Sequence, residues 1–247
     1  MKIGLIGFGT IGSRIGSEFK EEIVWVVDIE DMSAQMRKAG VLCPLYFSIP
    51  KRCGGADLVV EAASQQAVAQ AIPCLRYADL MIMSVGALAD EKVLASLVEN
   101  AKKYGRKVLI PSGAIGGLDA ISAVAEIAEE VVLETTKPPS SLGREDKEKV
   151  VVFEGKAKDA CRLFPQNINV SATLALAGVG FEKTKVRIIS DPKQKNNLHK
   201  ITVISRAGKM VFEFDNLPSP QNPKTSALAA LSAINTIRKI SRTLQIG

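Results

Sequence analysis

Six residues, GFGTIG at positions 7–12, constrain this chain more than any other stretch. They match GxGxxG, follow the apolar run KIGLI directly and open a stretch of helical pattern. In such a loop Gly7 permits the tight turn, Gly9 lets backbone approach a pyrophosphate, and Gly12 lets helix and strand pack closely. The helix start at Thr10 and Ile11 then offers free N–H groups and a positive dipole end to phosphates. An ordinary glycine turn would satisfy the pattern too, so its context decides. The next apolar run, IVWVVD, ends in Asp28, about 20 residues on, where an acid can hold a ribose 2′-hydroxyl. A carboxylate there repels a 2′-phosphate, and the following IED carries no arginine. NAD is therefore expected over NADP, which would need Arg37 or a lysine to swing in.

The rest of the first half keeps the same rhythm. LVVEAA at 58–63, LMIMSV at 80–85 and KVLIPS at 107–112 alternate with helical runs, and a weaker region surrounds SAQMRKAG. Strands apolar throughout, separated by amphipathic helices, imply a doubly wound parallel sheet covered on both faces. After GAIGGLDA the pattern changes. A helix over 118–129 is expected, then a strand at EVVLETTKP, a polar loop PPSSLGREDKEK, the strand KVVVFEG and helices at GKAKDACRLFP and NVSATLALAG. TKVRIIS, HKITVISRA and KMVFEFDN alternate with period two, as in an antiparallel sheet with one face on a core. NPKTSALAALSAINTIRKI reads as a closing helix that begins near Asn222 or Pro223. The expected fold is α/β: a Rossmann-type dinucleotide domain over 1–113, with the helix of 223–247 packing back on it. A second α/β domain with a mixed or antiparallel sheet, over 114–222, would serve substrate binding and dimerisation.

Composition narrows the function classes. The net charge of +6 invites a nucleic-acid reading, but the basic residues are dispersed and only 5% of residues are aromatic, too few for base stacking. No nucleic-acid partner is expected, nor a membrane one, since no apolar run approaches the ~18 residues a span requires. The opening MKIGLIGFG lacks the form of a signal peptide. The four cysteines are scattered and there is one histidine, which argues against a zinc site and for reduced thiols in a cytoplasmic protein.

Several stretches are candidates for chemistry. EAASQQAV, containing Ala63, and SVGALAD fall at C-terminal strand ends, where open α/β sheets bind ligands. SGAIGGLDA, containing Ala114, is open between a nicotinamide lining and a hinge. TTKPP places Lys137 at a strand end, and NPKTS offers Lys224 and Thr225 at a helix start, either as an anion site or as a plain cap. The lone histidine, His199 of NNLHKITV, stands where a polar loop meets an alternating run. It is either an incidental side chain or a base, with Lys200 beside it to lower its pKa.

Taken in order, GFGTIG, EAASQQAV, SVGALAD, PSGAIGGLDA, VFEGKAKDACRLFPQNINVSATLALAG, NNLHKITV and PSPQNPKTSALAALSAI span nearly the whole chain. Together they resemble the L-aspartate dehydrogenase family. The resemblance implies NAD(P)-dependent oxidative deamination of L-aspartate through iminoaspartate, which either supplies NAD biosynthesis or hydrolyses to oxaloacetate and ammonia. It also implies a homodimer with an active site between the domains, His199 as the catalytic residue, and nicotinamide-side contacts at Ala114 and Asn169. The residues after Asp28 depart from relatives that carry a basic residue there, and the loop SSLGREDKEK varies in length among relatives.

Elementary chemistry agrees with this assignment. Oxidising an amine needs a hydride acceptor and a base, and imidazole is suited to the second task near neutral pH. The two carboxylates of aspartate need cationic or N–H partners, for which Lys137, Lys224 and Thr225 are the candidates. Two alternatives stand beside this reading: a dihydrodipicolinate-reductase-like imine reductase of the same build, and a non-enzymatic NAD-binding redox sensor.

Overall fold

The computed structural model describes residues 1–164, 168–219 and 222–244, with the side chains of Pro223 and Lys224 outside the description. Two compact units divide the chain. Met1–Pro111 together with Ser232–Thr243 form the first, and Ser112–Leu231 make up the body of the second.

The first unit alternates β1 (Ile3–Ile6), α1 (Thr10–Glu18), β2 (Ile23–Val27), α2 (Ser33–Lys38), β3 (Leu45–Tyr46), β4 (Leu58–Glu61), α3 (Gln65–Ala71), β5 (Asp79–Ile82), α4 (Glu91–Tyr104) and β6 (Val108–Leu109). The strands form one sheet in the order β3-β2-β1-β4-β5-β6, parallel at every pairing. This is the doubly wound order, with its reversal between β1 and β4. β1 and β4 are buried at every residue, which is why their sequences show no alternation. On one face Ile3, Leu5, Leu58, Val60 and Met81 pack with Ile15 of α1 and Met36 of α2. Val59, Leu80 and Ile82, whose side chains alternate to the other face, are buried as completely.

The second unit contains α5 (Leu118–Ala123), β7 (Ala128–Lys137), β8 (Val150–Lys156), α6 (Ala157–Leu163), α7 (Asn169–Ala177), β9 (Lys185–Ser190), β10 (Asn197–Ser205), β11 (Gly208–Asn216), β12 (Pro218–Ser219) and β13 (Asn222–Ser226). Its main sheet runs β11-β10-β7-β9-β8. α8 (Ala227–Ser241) closes the described chain, and its Ala233, Ile234 and Ile237 belong to the core of the first unit. An Arg238–Glu18 ion pair ties it to α1 there.

Three local expectations are corrected. Of the three strands read as consecutive antiparallel neighbours, β10 and β11 do pair antiparallel, but β9 does not join them: it lies between β7 and β8 and runs parallel to β7. The connection through β8, α6 and α7 is long enough to return a strand parallel, which no hairpin can do. The helix expected over 118–129 stops at Ala123, because residues from Ala128 onward join β7 and pair with β10. NPKTS does not start a helix. Asn222 and Ser226 pair with β12, and α8 begins at Ala227 with the Ser226 hydroxyl accepting from the Leu228 N–H at 3.1 Å. The capping side chain is thus Ser226, four residues later than the sequence suggests.

Candidate active site

The glycine loop shows why each glycine is needed. Gly7 leaves β1 at φ +90°, and a Cβ there would lie 2.8 Å from the Ala62 carbonyl. A Cβ on Gly12 would lie 2.0 Å from the Gly7 carbonyl oxygen, so the helix can approach the strand only without one. Gly9 is different, because a Cβ would meet nothing within 4 Å. It faces open space, and that space is a cavity of about 620 Å³ lined also by Gly7, Asp28, Ala63, Phe47 and Gln70. Thr10 and Ile11 open α1, whose first turn carries no acid and whose N-terminus has no side-chain cap. Its leading N–H groups and dipole therefore suit an anionic ligand.

Asp28 sits at the end of β2 beside this loop. Its carboxylate accepts from the Phe8 N–H at 2.7 Å and from the Glu30 N–H at 3.2 Å. One acid thereby ties the strand end to the glycine loop while still lining the cavity. Gly7, Gly9, Thr10, Ile11, Gly12, Asp28 and Ala63 thus gather at the carboxyl edge of the sheet, around its point of reversal. The cradle at Gly9, the uncapped helix and the strand-end acid fit a dinucleotide.

Glu61, the last residue of β4, was missed in the sequence reading. It is fully buried, and its carboxylate accepts from the N–H groups of Ala63 (2.8 Å), Ser64 (3.0 Å) and Ser84 (3.0 Å), and from the Ser84 hydroxyl (2.9 Å). Burial pushes its pKa up, against these hydrogen bonds, which pull it down. One side chain clamps the loop after β4 to the loop after β5. The available signal was an acid ending the apolar run LVVE, the same cue that identified Asp28. Glu61→Gln would set an amide donor against one or more N–H donors. We expect a loss of about 1–3 kcal/mol in unfolding free energy, measured by denaturant titration, from the donors left unsatisfied.

In the second unit, His199 lies on β10 with Thr135 of β7 and Phe214 of β11 as cross-strand partners. Its Nδ1 is 3.0 Å from the Thr135 Oγ1. Lys137, two residues along β7, shares that face and is buried, as are Asn197 and His199 itself. Burial lowers the Lys137 amine to about 8. Burial first, and then the Lys137 charge, lowers the His199 imidazole to about 3. The expected influence of Lys200 is corrected: alternation turns Lys200 to the opposite face, where it is exposed and pairs across strands with Glu134 and Glu213.

Ala114 is held at the same end of this sheet, its carbonyl accepting from Asn216 Nδ2 at 2.7 Å. Asn216 is the cross-strand partner of Asn197, two residues before His199. Asn169 is the first residue of α7, with an exposed side chain. Thr225 is half-buried on β13, in the separate β12–β13 sheet, and the Lys224 side chain lies outside the described residues. Among the described residues no group of three or more His, Cys, Asp or Glu could hold a metal ion, and no helix is long and apolar enough to cross a membrane.

The parallel sheet, the glycine cradle and the strand-end acid define a Rossmann-type oxidoreductase that uses NAD or NADP. Residues 7–111 match the family model "Homoserine dehydrogenase, NAD binding domain", and residues 119–240 match "Aspartate dehydrogenase, C-terminal". The L-aspartate dehydrogenase of Methanosarcina acetivorans is 42% identical to this chain, covering 100% of it and 99% of its own length. The chain belongs to the L-aspartate dehydrogenase family. The crystal structure of aspartate dehydrogenase from Thermotoga maritima superposes with a TM-score of 0.85 at 34% identity, covering 100% of this chain and 99% of that one. A hyperthermophilic archaeal homoserine dehydrogenase in complex with NADPH has a TM-score of 0.57 at 10% identity over 99% of each chain, a likeness of fold alone.

Proposed function

We propose that this chain oxidises L-aspartate to iminoaspartate with NAD, using His199 as the base. The observation that carries the reading is the setting of the chain's single imidazole: buried, hydrogen-bonded through Nδ1 and beside a buried lysine. The first unit, Met1–Pro111 with Ser232–Thr243, serves the dinucleotide, and the second, Ser112–Leu231, serves the substrate and dimerisation. Gly7, Gly9, Thr10, Ile11 and Gly12 take the pyrophosphate, Asp28 the adenosine ribose, and Ala63, Ala114 and Asn169 the nicotinamide side. Bound NAD supplies a hydride acceptor.

His199 is held neutral, so it can take a proton from the substrate ammonium through Nε2, the nitrogen not engaged by Thr135. A dicarboxylate bound nearby raises its basicity, because a negative charge favours imidazolium. Lys137 provides the cation for one carboxylate, with Lys224 and Thr225 as further partners. The product, an electrophilic imine with two carboxylates, suits a role in NAD biosynthesis. A homodimer is the assembly that the family resemblance supports, and the four free cysteines support a cytoplasmic setting.

A steady-state assay with L-aspartate and a panel of amino acids, each with NAD and NADP, tests the reading. NADH should form with L-aspartate well above every other amino acid; turnover of another substrate in preference would overturn it. Asp28→Ser should weaken NAD by about ten- to a hundredfold, the loss of a charge-assisted hydrogen bond, and spare NADP. Unchanged NAD affinity by fluorescence titration would remove Asp28 from the ribose site. The pH profile follows from the lowered pKa values. For kcat/KM, no ascending limb should appear near pH 6.5, because free His199 is already neutral there. Activity should fall as pH rises through about 8, where Lys137 loses the charge that holds a carboxylate. Lys137→Met should raise KM and abolish that descending limb.

A further inference from the structure

We propose that Thr135 is the positioning residue of the base: its hydroxyl oxygen accepts the Nδ1–H of His199 and leaves the lone pair of Nε2 as the proton acceptor. The inference rests on the reading of His199 as the base and adds the group that sets its tautomer. A neutral imidazole has one N–H and one lone pair, and the hydrogen bond made by one nitrogen decides what the other can do. A threonine hydroxyl can donate or accept. If it donated to Nδ1, Nε2 would carry the proton and could not receive another. Proton removal from the ammonium therefore requires the hydroxyl to accept.

The surroundings favour this role over a chance contact. Thr135 and His199 are direct cross-strand partners on the two central strands of the sheet, so both backbones are fixed by ladders on each side. The β-branch of threonine restricts its χ1, which holds the oxygen in one place at 3.0 Å from Nδ1. Both side chains are nearly inaccessible to solvent, at 5% for Thr135 and 3% for His199, so water does not readily substitute for the bond. Lys137, the charged side chain on the same face of β7, has no lone pair to offer when protonated, and Phe214 on the other flank has no polar atom.

The single histidine makes the test direct, because a ¹⁵N imidazole spectrum of the whole protein has one source. The wild type should show Nδ1 protonated and Nε2 unprotonated at neutral pH. Thr135→Ser should keep that spectrum and stay within about threefold of wild-type kcat. Thr135→Val should mix the tautomers and lower kcat roughly 10- to 100-fold, the usual cost of removing the partner that orients a functional histidine. KM for L-aspartate and affinity for NADH should change little. A wild-type spectrum with Nε2 protonated overturns the proposal, and needs no variant to fold. So does a Thr135→Val protein with undiminished kcat, or a Thr135→Ser protein as impaired as Thr135→Val, which would make the loss one of packing. Failure of the underlying reading looks different: His199→Ala would then retain turnover whatever the spectrum shows.

Discussion

His199→Ala should lower turnover of L-aspartate by roughly 10²–10⁴, the worth of a positioned acid–base group, while leaving NADH binding almost unchanged. The split is expected because the imidazole lies in the second unit, whereas the glycine loop and Asp28 lie in the first. The variant also carries a stability signature. Folded His199 is pushed down to about 3 from 6.5, so between those values the unfolded chain binds more protons. Stability from burying the neutral ring is thus fully present above about pH 6.5 and is lost as pH falls towards 3. In His199→Ala the histidine contribution to that slope disappears. A variant that deaminates L-aspartate within a fewfold of wild type would show that the imidazole is not the base.

Removing residues 232–247 should unfold the first unit. The deletion takes Ala233, Ile234 and Ile237 out of a core shared with Ile3, Leu5, Ile15 and Met36. Truncating one buried isoleucine costs about 2–5 kcal/mol, and two with their helix rival the ~5–15 kcal/mol total stability of a domain. Ile237→Ala alone should lower the melting temperature and weaken NADH binding only through that loss. Unaltered melting and NADH affinity in the truncated chain would show that the dinucleotide unit holds together without this helix.

Much of the candidate dinucleotide site was legible because its parts are local. Glycines at 7, 9 and 12 do their work within one strand–turn–helix, and Asp28 ends the next strand, so spacing along the chain determines their meeting. The parallel sheet was legible for a related reason: strands buried on both faces show unbroken apolar runs, and helices between them leave few topologies. Glu61 carried the same strand-end cue as Asp28. Its importance was invisible because two of its four hydrogen bonds come from nearby backbone and two from Ser84, 23 residues away, and only folding removes it from water.

The surroundings of the histidine belong to the tertiary structure. Lys200 is its neighbour in sequence, yet the two-residue period of a strand turns it to the other face. Thr135 is 64 residues away and Lys137 nearly as far, and only the register of β10 against β7 brings them to the ring. That register is a long-range pairing, which no local propensity encodes. The chain by itself determined that there would be one imidazole, a glycine cradle and a strand-end acid. Only the packing of two central strands decided that the imidazole would be dry, held through Nδ1 and set beside a lysine, because those properties arise from desolvation and cross-strand contact.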